Sequence, residues 1–260
     1  NMTSQNQIRL MSHLVAGYPN LEISLEVADA LVRGGSTFLE IQLAFSDPSA
    51  DGPAIQTACA DALSKGFSTK KGLAFIAEVH KRHPNIPLFL MTYASLAYTP
   101  GIENFVKEAK EAGVSGVIIP DLPFDQDEGL TAACQKWGVE NIPVAAPSMT
   151  QERLNKMLDA KFTYIYAALR AGITGSVTTI DNQTLQFLDS FSKGSSKILG
   201  GFGIRSGSQA KQLADHVYAI VAGSVFVNEI TTHYDPKNEI ESKIKIGAAV
   251  EAKAKEITLS

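Results

Sequence analysis

Apolar runs of strand length recur along the chain at 12–17 (SHLVAG), 38–43 (FLEIQL), 88–93 (LFLMTY), 116–120 (GVIIP), 142–146 (IPVAA), 163–168 (TYIYAA), 197–201 (KILGG) and 218–222 (YAIVA). Between them lie stretches with helical periodicity, such as LEISLEVADALVRGG, GIENFVKEAKEAG, TQERLNKMLDA and SGSQAKQLADH. Gly35, Gly66, Gly113 and Gly138 follow such stretches, where a helix commonly ends in a left-handed residue. Two helices, 52–65 and 69–83, are expected between the second and third strands, and a last one over 239–258. Eight strand–helix units without a linker predict an α/β fold: a single (β/α)8 TIM barrel over 1–260 with an extra helix after strand 2. The competing open, doubly wound sheet lacks a GxGxxG turn after its first strand, where VAGYPN stands instead.

The barrel places chemistry at the C-terminal strand ends and the loops that follow them. In strand 2, alternation sends Leu39, Ile41 and Leu43 toward the helices and Phe38, Glu40 and Gln42 into the barrel. A carboxylate in that interior is costly unless it is paired or used. Glu40 is therefore a candidate catalytic group, the alternative being a structural ion pair or core hydrogen bond. The loop SDPSADGP that follows carries Asp47 and Asp51. Either is a candidate partner for Glu40, and either could instead form a turn or cap the next helix. Spacing alone does not choose between them.

A second cluster lies near the C-terminus, in RAGITGS after strand 6, GGFGIRSG after strand 7 and AGSVF after strand 8. Small residues let backbone N–H groups approach an anion, and a helix N-terminus adds partial positive charge. Loops after strands 7 and 8 are where this fold commonly holds phosphate, so a phosphorylated small molecule is the expected ligand. Tyr93, Tyr166, Phe202, Met91 and Ile118 fall at or near strand ends, and could line an apolar pocket for an aromatic group or be barrel core.

Composition narrows the field. Hydrophobic residues make up 45% and charged residues 19%, which suffices for a sizeable core. A net charge of −4 with scattered Lys and Arg argues against nucleic-acid or anionic-membrane partners. No apolar run approaches the roughly 18 residues of a membrane span. The start NMTSQNQIRLMSH has no signal-peptide core, and Asn1 before Met2 reads as an added residue. A cytoplasmic location is expected. Cys59 and Cys134 share no CxxC spacing, the five histidines form no HxH or HExxH pattern, and no metal is expected.

FLEIQLAFSDPSADGPAIQ resembles the signature of tryptophan synthase α subunits, commonly LELGVPFSDPLADGPTIQ. The likeness continues in MTYASLAY, IIPDLPFD, YIYAALRAGITG, GGFGIRS and VAGSVFV, and so covers nearly the whole chain. The resemblance implies retro-aldol cleavage of indole-3-glycerol phosphate to indole and glyceraldehyde 3-phosphate. It implies an α2β2 heterotetramer with a β subunit that carries pyridoxal phosphate, and no cofactor in this chain. By the same resemblance Glu40 and Asp51 are catalytic, Glu40 shuttling protons and Asp51 facing the indole N–H. Tyr166 matches an active-site tyrosine. Gly175, Gly203, Gly223 and Ser224 match the phosphate-binding backbone, and Asp47 an aspartate tied to signalling toward the β subunit.

Several positions depart from the family pattern. Gln42 stands for a glycine, one residue pair and about 7 Å nearer the mouth than Glu40, where it is expected to bond Glu40 or occupy substrate volume. His13 replaces an aromatic pocket residue and reads as a core histidine or an added polar group. Tyr18 replaces an aspartate, Ser95 an asparagine, and Pro120 a small residue before Asp121. Two functional readings follow: a competent lyase, or an impaired or inactive α subunit kept to bind and activate its β partner. An isomerase or other phosphosugar barrel would explain the glycine loops but not FSDPSADGP.

Overall fold

The computed structural model describes residues 7–169, 180–201 and 203–260. Strand and helix alternate along it. The strands are β1 (Leu10–Val15), β2 (Phe38–Gln42), β3 (Leu88–Met91), β4 (Val114–Ile118), β5 (Glu140–Asn141), β6 (Val144–Ala145), β7 (Tyr164–Ala168), β8 (Lys197–Gly201) and β9 (Ala219–Ala222). The helices are α1 (Leu21–Arg33), α2 (Pro53–Ser64), α3 (Thr69–Arg82), α4 (Ala94–Tyr98), α5 (Ile102–Ala112), α6 (Leu130–Trp137), α7 (Gln151–Asp159), α8 (Asn182–Asp189), α9 (Gly207–Leu213), α10 (Ser224–His233) and α11 (Glu239–Thr258). All strand pairings are parallel, in the order β5-β4-β3-β2-β1-β9-β8-β7-β6.

The fifth expected strand is thus two short pieces, and the reason is Pro143. It has no N–H to give to a ladder, so pairing lapses at Ile142-Pro143. The segment still closes the barrel. Ile142 N–H donates to Val117 O at 3.0 Å on one side, and Pro143 O accepts from Tyr166 N–H at 2.9 Å on the other. The sheet therefore curls round to meet itself through residues 140–145, with helices outside.

Helix boundaries follow local chemistry. Asn20, Ser68, Thr150, Asp181 and Ser206 cap α1, α3, α7, α8 and α9, each accepting from a backbone N–H three residues on. Pro53 opens α2, where its missing N–H costs nothing. Gly113 (φ 100°) and Gly138 (φ 69°) end α5 and α6 in the left-handed region, as the sequence predicts.

Two cores result. Between strands and helices lie Leu39, Ile41 and Leu43 with Ile23, Phe75 and Val79. Inside the barrel lie Met11, Phe38, Phe89, Ile142, Tyr166 and Leu199. Phe38 stacks on Phe89 with centroids 5.1 Å apart, and Tyr164 meets both rings at 5.7 and 5.3 Å, filling the N-terminal end. Arg9 and Lys197 lie over the Tyr218 ring at 4.2 and 4.9 Å and close that end. With this end plugged, polar side chains have room only at the C-terminal mouth. No helix among the described residues is long and apolar enough to cross a membrane.

Candidate active site

At the C-terminal mouth lies a cleft that is partly open to solvent. Its wall includes His13 on β1, Glu40 on β2, Asp51 in the next loop, Met91, Ile118 and Tyr166 on β3, β4 and β7, and Gly203, Arg205, Gly223 and Ser224 beyond β8 and β9. Glu40 points inward as strand alternation requires and is 3% exposed. The register pairs it with His13 on β1. There His13 Nδ1 lies 2.7 Å from Glu40 Oε1. The ion-pair alternative for Glu40 and the catalytic one thus meet in one residue, because the paired carboxylate also faces the cleft. Burial alone would lower His13, yet the charge and hydrogen bond of Glu40, with Asp51 beyond it, hold it above its ordinary value.

Asp51 is 4% exposed, and its carboxylate does not cap α2, whose N-cap is Gly52. Its Oδ2 instead accepts from Gln42 Nε2 and from Tyr93 OH, both at 2.8 Å. Burial raises Asp51 above its ordinary value, while His13, Gln42 and Tyr93 pull it back. Tyr93 also receives Ala50 N–H at 3.1 Å and stacks on Phe45 with centroids 5.2 Å apart. It stands behind the wall as a support for the Asp51 loop. The two carboxylates therefore share one mouth but have separate partners.

Gln42 does not take the place expected of it. It points inward and is fully buried, but it is not on the cleft wall and does not bond Glu40. Its amide closes on Asp51, with Cys59 Sγ at 3.5 Å on its other side. Burial pushes the Cys59 and Cys134 thiols up to about 12, so both are small core residues. Tyr18 is likewise outside the site: its hydroxyl reaches Thr231 Oγ1 of α10 at 2.5 Å. Asp47 is exposed on the loop outside the cleft, with its backbone carbonyl receiving Ser49 N–H at 2.9 Å.

Tyr166 is buried, and burial together with Glu40 and Asp51 holds its hydroxyl well above its ordinary value, hence neutral. Also on the cleft wall, Gly203 has φ 72°, and Gly223, next to His13 across the β1–β9 seam, precedes the first turn of α10. Ser224 Oγ in that turn is buried with no hydrogen-bond partner among the described residues. Donors of this kind at a helix start suit an anion. Arg205 adds a cation to the same wall. Sequence reasoning passed over it as part of GGFGIRSG, although a cation beside a glycine loop was the available signal. Gly175 and Phe202 lie outside the described residues. Among the described residues no group of three or more His, Cys, Asp or Glu is placed to hold a metal ion.

A family model described as tryptophan synthase alpha chain matches residues 1–256. The tryptophan synthase alpha chain of Helicobacter hepaticus is 39% identical over 236 residues, covering 88% of each chain. That of Petrotoga mobilis is 35% identical over 247 residues, covering 93% of each. Among solved structures, Mycobacterium tuberculosis tryptophan synthase matches with a TM-score of 0.84 at 28% identity, over 98% of this chain and 94% of that one. The tryptophan synthase complex of Pyrococcus furiosus gives 0.84 at 26% identity, over 97% and 99%. Neither these likenesses nor the cleft favours the inactive alternative. The chain belongs to the tryptophan synthase alpha chain family, carbon–carbon lyases that cleave indole-3-glycerol phosphate.

Proposed function

We propose that Glu40 and Asp51 divide the chemistry of this cleavage within one barrel domain spanning 1–260. The observation that carries the proposal is their placement: two buried carboxylates, held by different partners, in one cleft that Gly203, Arg205, Gly223 and Ser224 also line. Glu40 delivers a proton to indole C3. It then takes the proton of the glycerol hydroxyl as the carbon–carbon bond breaks and its electron pair returns to the ring. Asp51, ionised, faces the indole N–H and offsets the positive charge that C3 protonation creates.

Met91, Ile118 and Tyr166 supply apolar wall for the indole, Phe202 is assigned to the same end, and Tyr93 holds Asp51 from behind. Gly175, Gly203, Gly223 and Ser224 are assigned to the phosphate, and Arg205 joins them on the charge argument. Asp47, exposed beside the mouth, is placed to report closure to a β subunit. The partner is that subunit, in an α2β2 assembly whose pyridoxal phosphate lies in the β chain. This chain itself needs no cofactor, and the cytoplasm is the proposed location.

The test is indole release from indole-3-glycerol phosphate by the purified chain, alone and with a β subunit. Glu40→Gln is expected to lower kcat by about 10²-fold or more in a protein that still unfolds cooperatively. A Glu40→Gln protein that cleaves at the unaltered rate would remove Glu40 from the chemistry. No release by the unaltered chain, together with stimulation of the β reaction, would establish the activator reading instead.

A further inference from the structure

His13 has no part in the chemistry set out above, yet it is buried inside the barrel. It is 6% exposed, its Nδ1 is 2.7 Å from Glu40 Oε1, and it stands on the cleft wall. Its room depends on Gly223 across the β1–β9 seam, where a Cβ would come within 2.9 Å of His13 Cβ. A core histidine needs both ring nitrogens satisfied. Here Nε2 has no hydrogen-bond partner among the described residues, and neither has Gln42 Oε1. Gln42 adds to the basicity of His13, although no bond between the two meets hydrogen-bond geometry. Glu40 Oε1 is committed to the imidazole, which leaves Oε2 as the oxygen for the reacting atoms.

We propose that His13 is the positioning residue of Glu40, and that the two form a dyad which stores the single proton the cleavage needs. The idea rests on the proposed role of Glu40. At rest the dyad holds one proton, shared between Nδ1 and the carboxylate. Delivery of that proton from Glu40 to indole C3 leaves neutral imidazole beside a carboxylate. The carboxylate then accepts the hydroxyl proton as the carbon–carbon bond breaks, and the dyad is restored. One proton leaves and one returns, and no oxidant or further reactant enters.

The groups around the dyad set its titration. Asp51 from the loop after β2, and Tyr93 behind it, add negative charge and hydrogen bonds on one side. Tyr166 on β7 stays neutral, and Arg205 lines the same cleft. From β9 and the start of α10 come Val221, Gly223 and the Ser224 hydroxyl, none of them charged. Strongly interacting pairs lose protons in macroscopic steps that belong to the pair. The basic limb of the cleavage profile therefore reports loss of the stored proton from the dyad.

His13→Phe confines the proton to Glu40. Its basic limb is expected to move at least about one pH unit toward acid, and kcat near pH 8 to fall about 10- to 100-fold with KM changed less than about threefold. His13→Asn keeps a donor for Glu40 without a titrating ring. It should recover rate at low pH while its basic limb lies at or below that of the Phe variant, because an amide donor favours the carboxylate. A Phe variant with the unaltered basic limb and rate overturns the dyad. In parallel, NMR titration of His13 in the uncatalysed protein should show its midpoint falling by at least about one unit in Glu40→Gln, and an unmoved midpoint overturns the pairing whatever the kinetics. If the unaltered chain releases no indole while the NMR shift is present, the cleavage reading falls and the proton store falls with it. If cleavage proceeds and the shift is absent, only the dyad falls.

Discussion

Gln42→Gly removes one of the two hydrogen bonds on Asp51 Oδ2 and leaves the other, from Tyr93. A hydrogen bond to a charged group contributes about 1.5–3 kcal/mol, which corresponds to roughly one to two pKa units. Part of this returns if water enters the space the side chain leaves, so a net change of about one unit is expected. Its sign is fixed by the site: burial already raises Asp51, Gln42 opposes that rise, and losing Gln42 raises Asp51 further. Because the proposed role of Asp51 at the indole N–H needs the ionised form, the acid limb of kcat/KM moves up by about one pH unit. Rates on that limb fall up to about tenfold. The assay is indole release from indole-3-glycerol phosphate between about pH 5 and pH 9, with thermal unfolding as a check on the fold. A variant that cleaves faster than the unaltered chain, with its acid limb in place, would refute this reasoning and restore Gln42 as an occupant of substrate volume.

Two further outcomes concern the barrel itself. Phe89→Ala empties the stacked plug beneath the site, where Phe89 is 1% exposed against Phe38 and Tyr164. It should cost about 3–5 kcal/mol and roughly 6–15 °C of melting temperature, and a loss under about 1 kcal/mol in urea unfolding would show that the plug collapses freely. The His13–Glu40 pair should also make stability depend on pH. His13 is raised in the fold above its ordinary 6.5, so its contribution is complete below about pH 6.5 and is lost as pH rises through the folded value. The unfolding free energy of the unaltered chain should fall across that window, and the fall should be absent in His13→Phe.

Much of this was legible in the chain because period-2 alternation is strict in β2. Once Leu39, Ile41 and Leu43 are given to the helices, Glu40 must face the barrel, and the structure places it there. The sequence also brought Gly203, Gly223 and Ser224 together as loops after neighbouring strands, and the structure places all three on the cleft wall. What sequence could not supply was who bonds whom. Gln42 and Glu40 share a face, so a bond between them was a natural expectation. The loop 43–51 folds back and delivers Asp51 to the amide instead. Likewise His13 and Glu40 are 27 positions apart, and only the β1–β2 register makes them neighbours. Pro143 was visible but its effect was not: one lost donor divided a strand while the barrel closed around it.

The two departures nearest the chemistry are therefore separate in what they touch. In the β1–β2 register His13 lies opposite Glu40, while Gln42 lies opposite Val15, one inward position nearer the mouth. His13 holds the carboxylate to which the proposed mechanism gives the proton, and Gln42 holds the one that it keeps ionised. A bell-shaped profile then has an assigned limb for each: loss of the stored proton at the basic side, and protonation of Asp51 at the acid side. Substitution at position 13 should move the basic limb and substitution at position 42 the acid limb. His13 also contributes to the charge around Asp51, so removing it should draw the acid limb upward as well, whereas Gln42 is the least of the groups that raise His13, so removing it should lower the basic limb only slightly. That asymmetry follows because an imidazolium acts through its charge at a distance, while an amide acts mainly through the bond it makes.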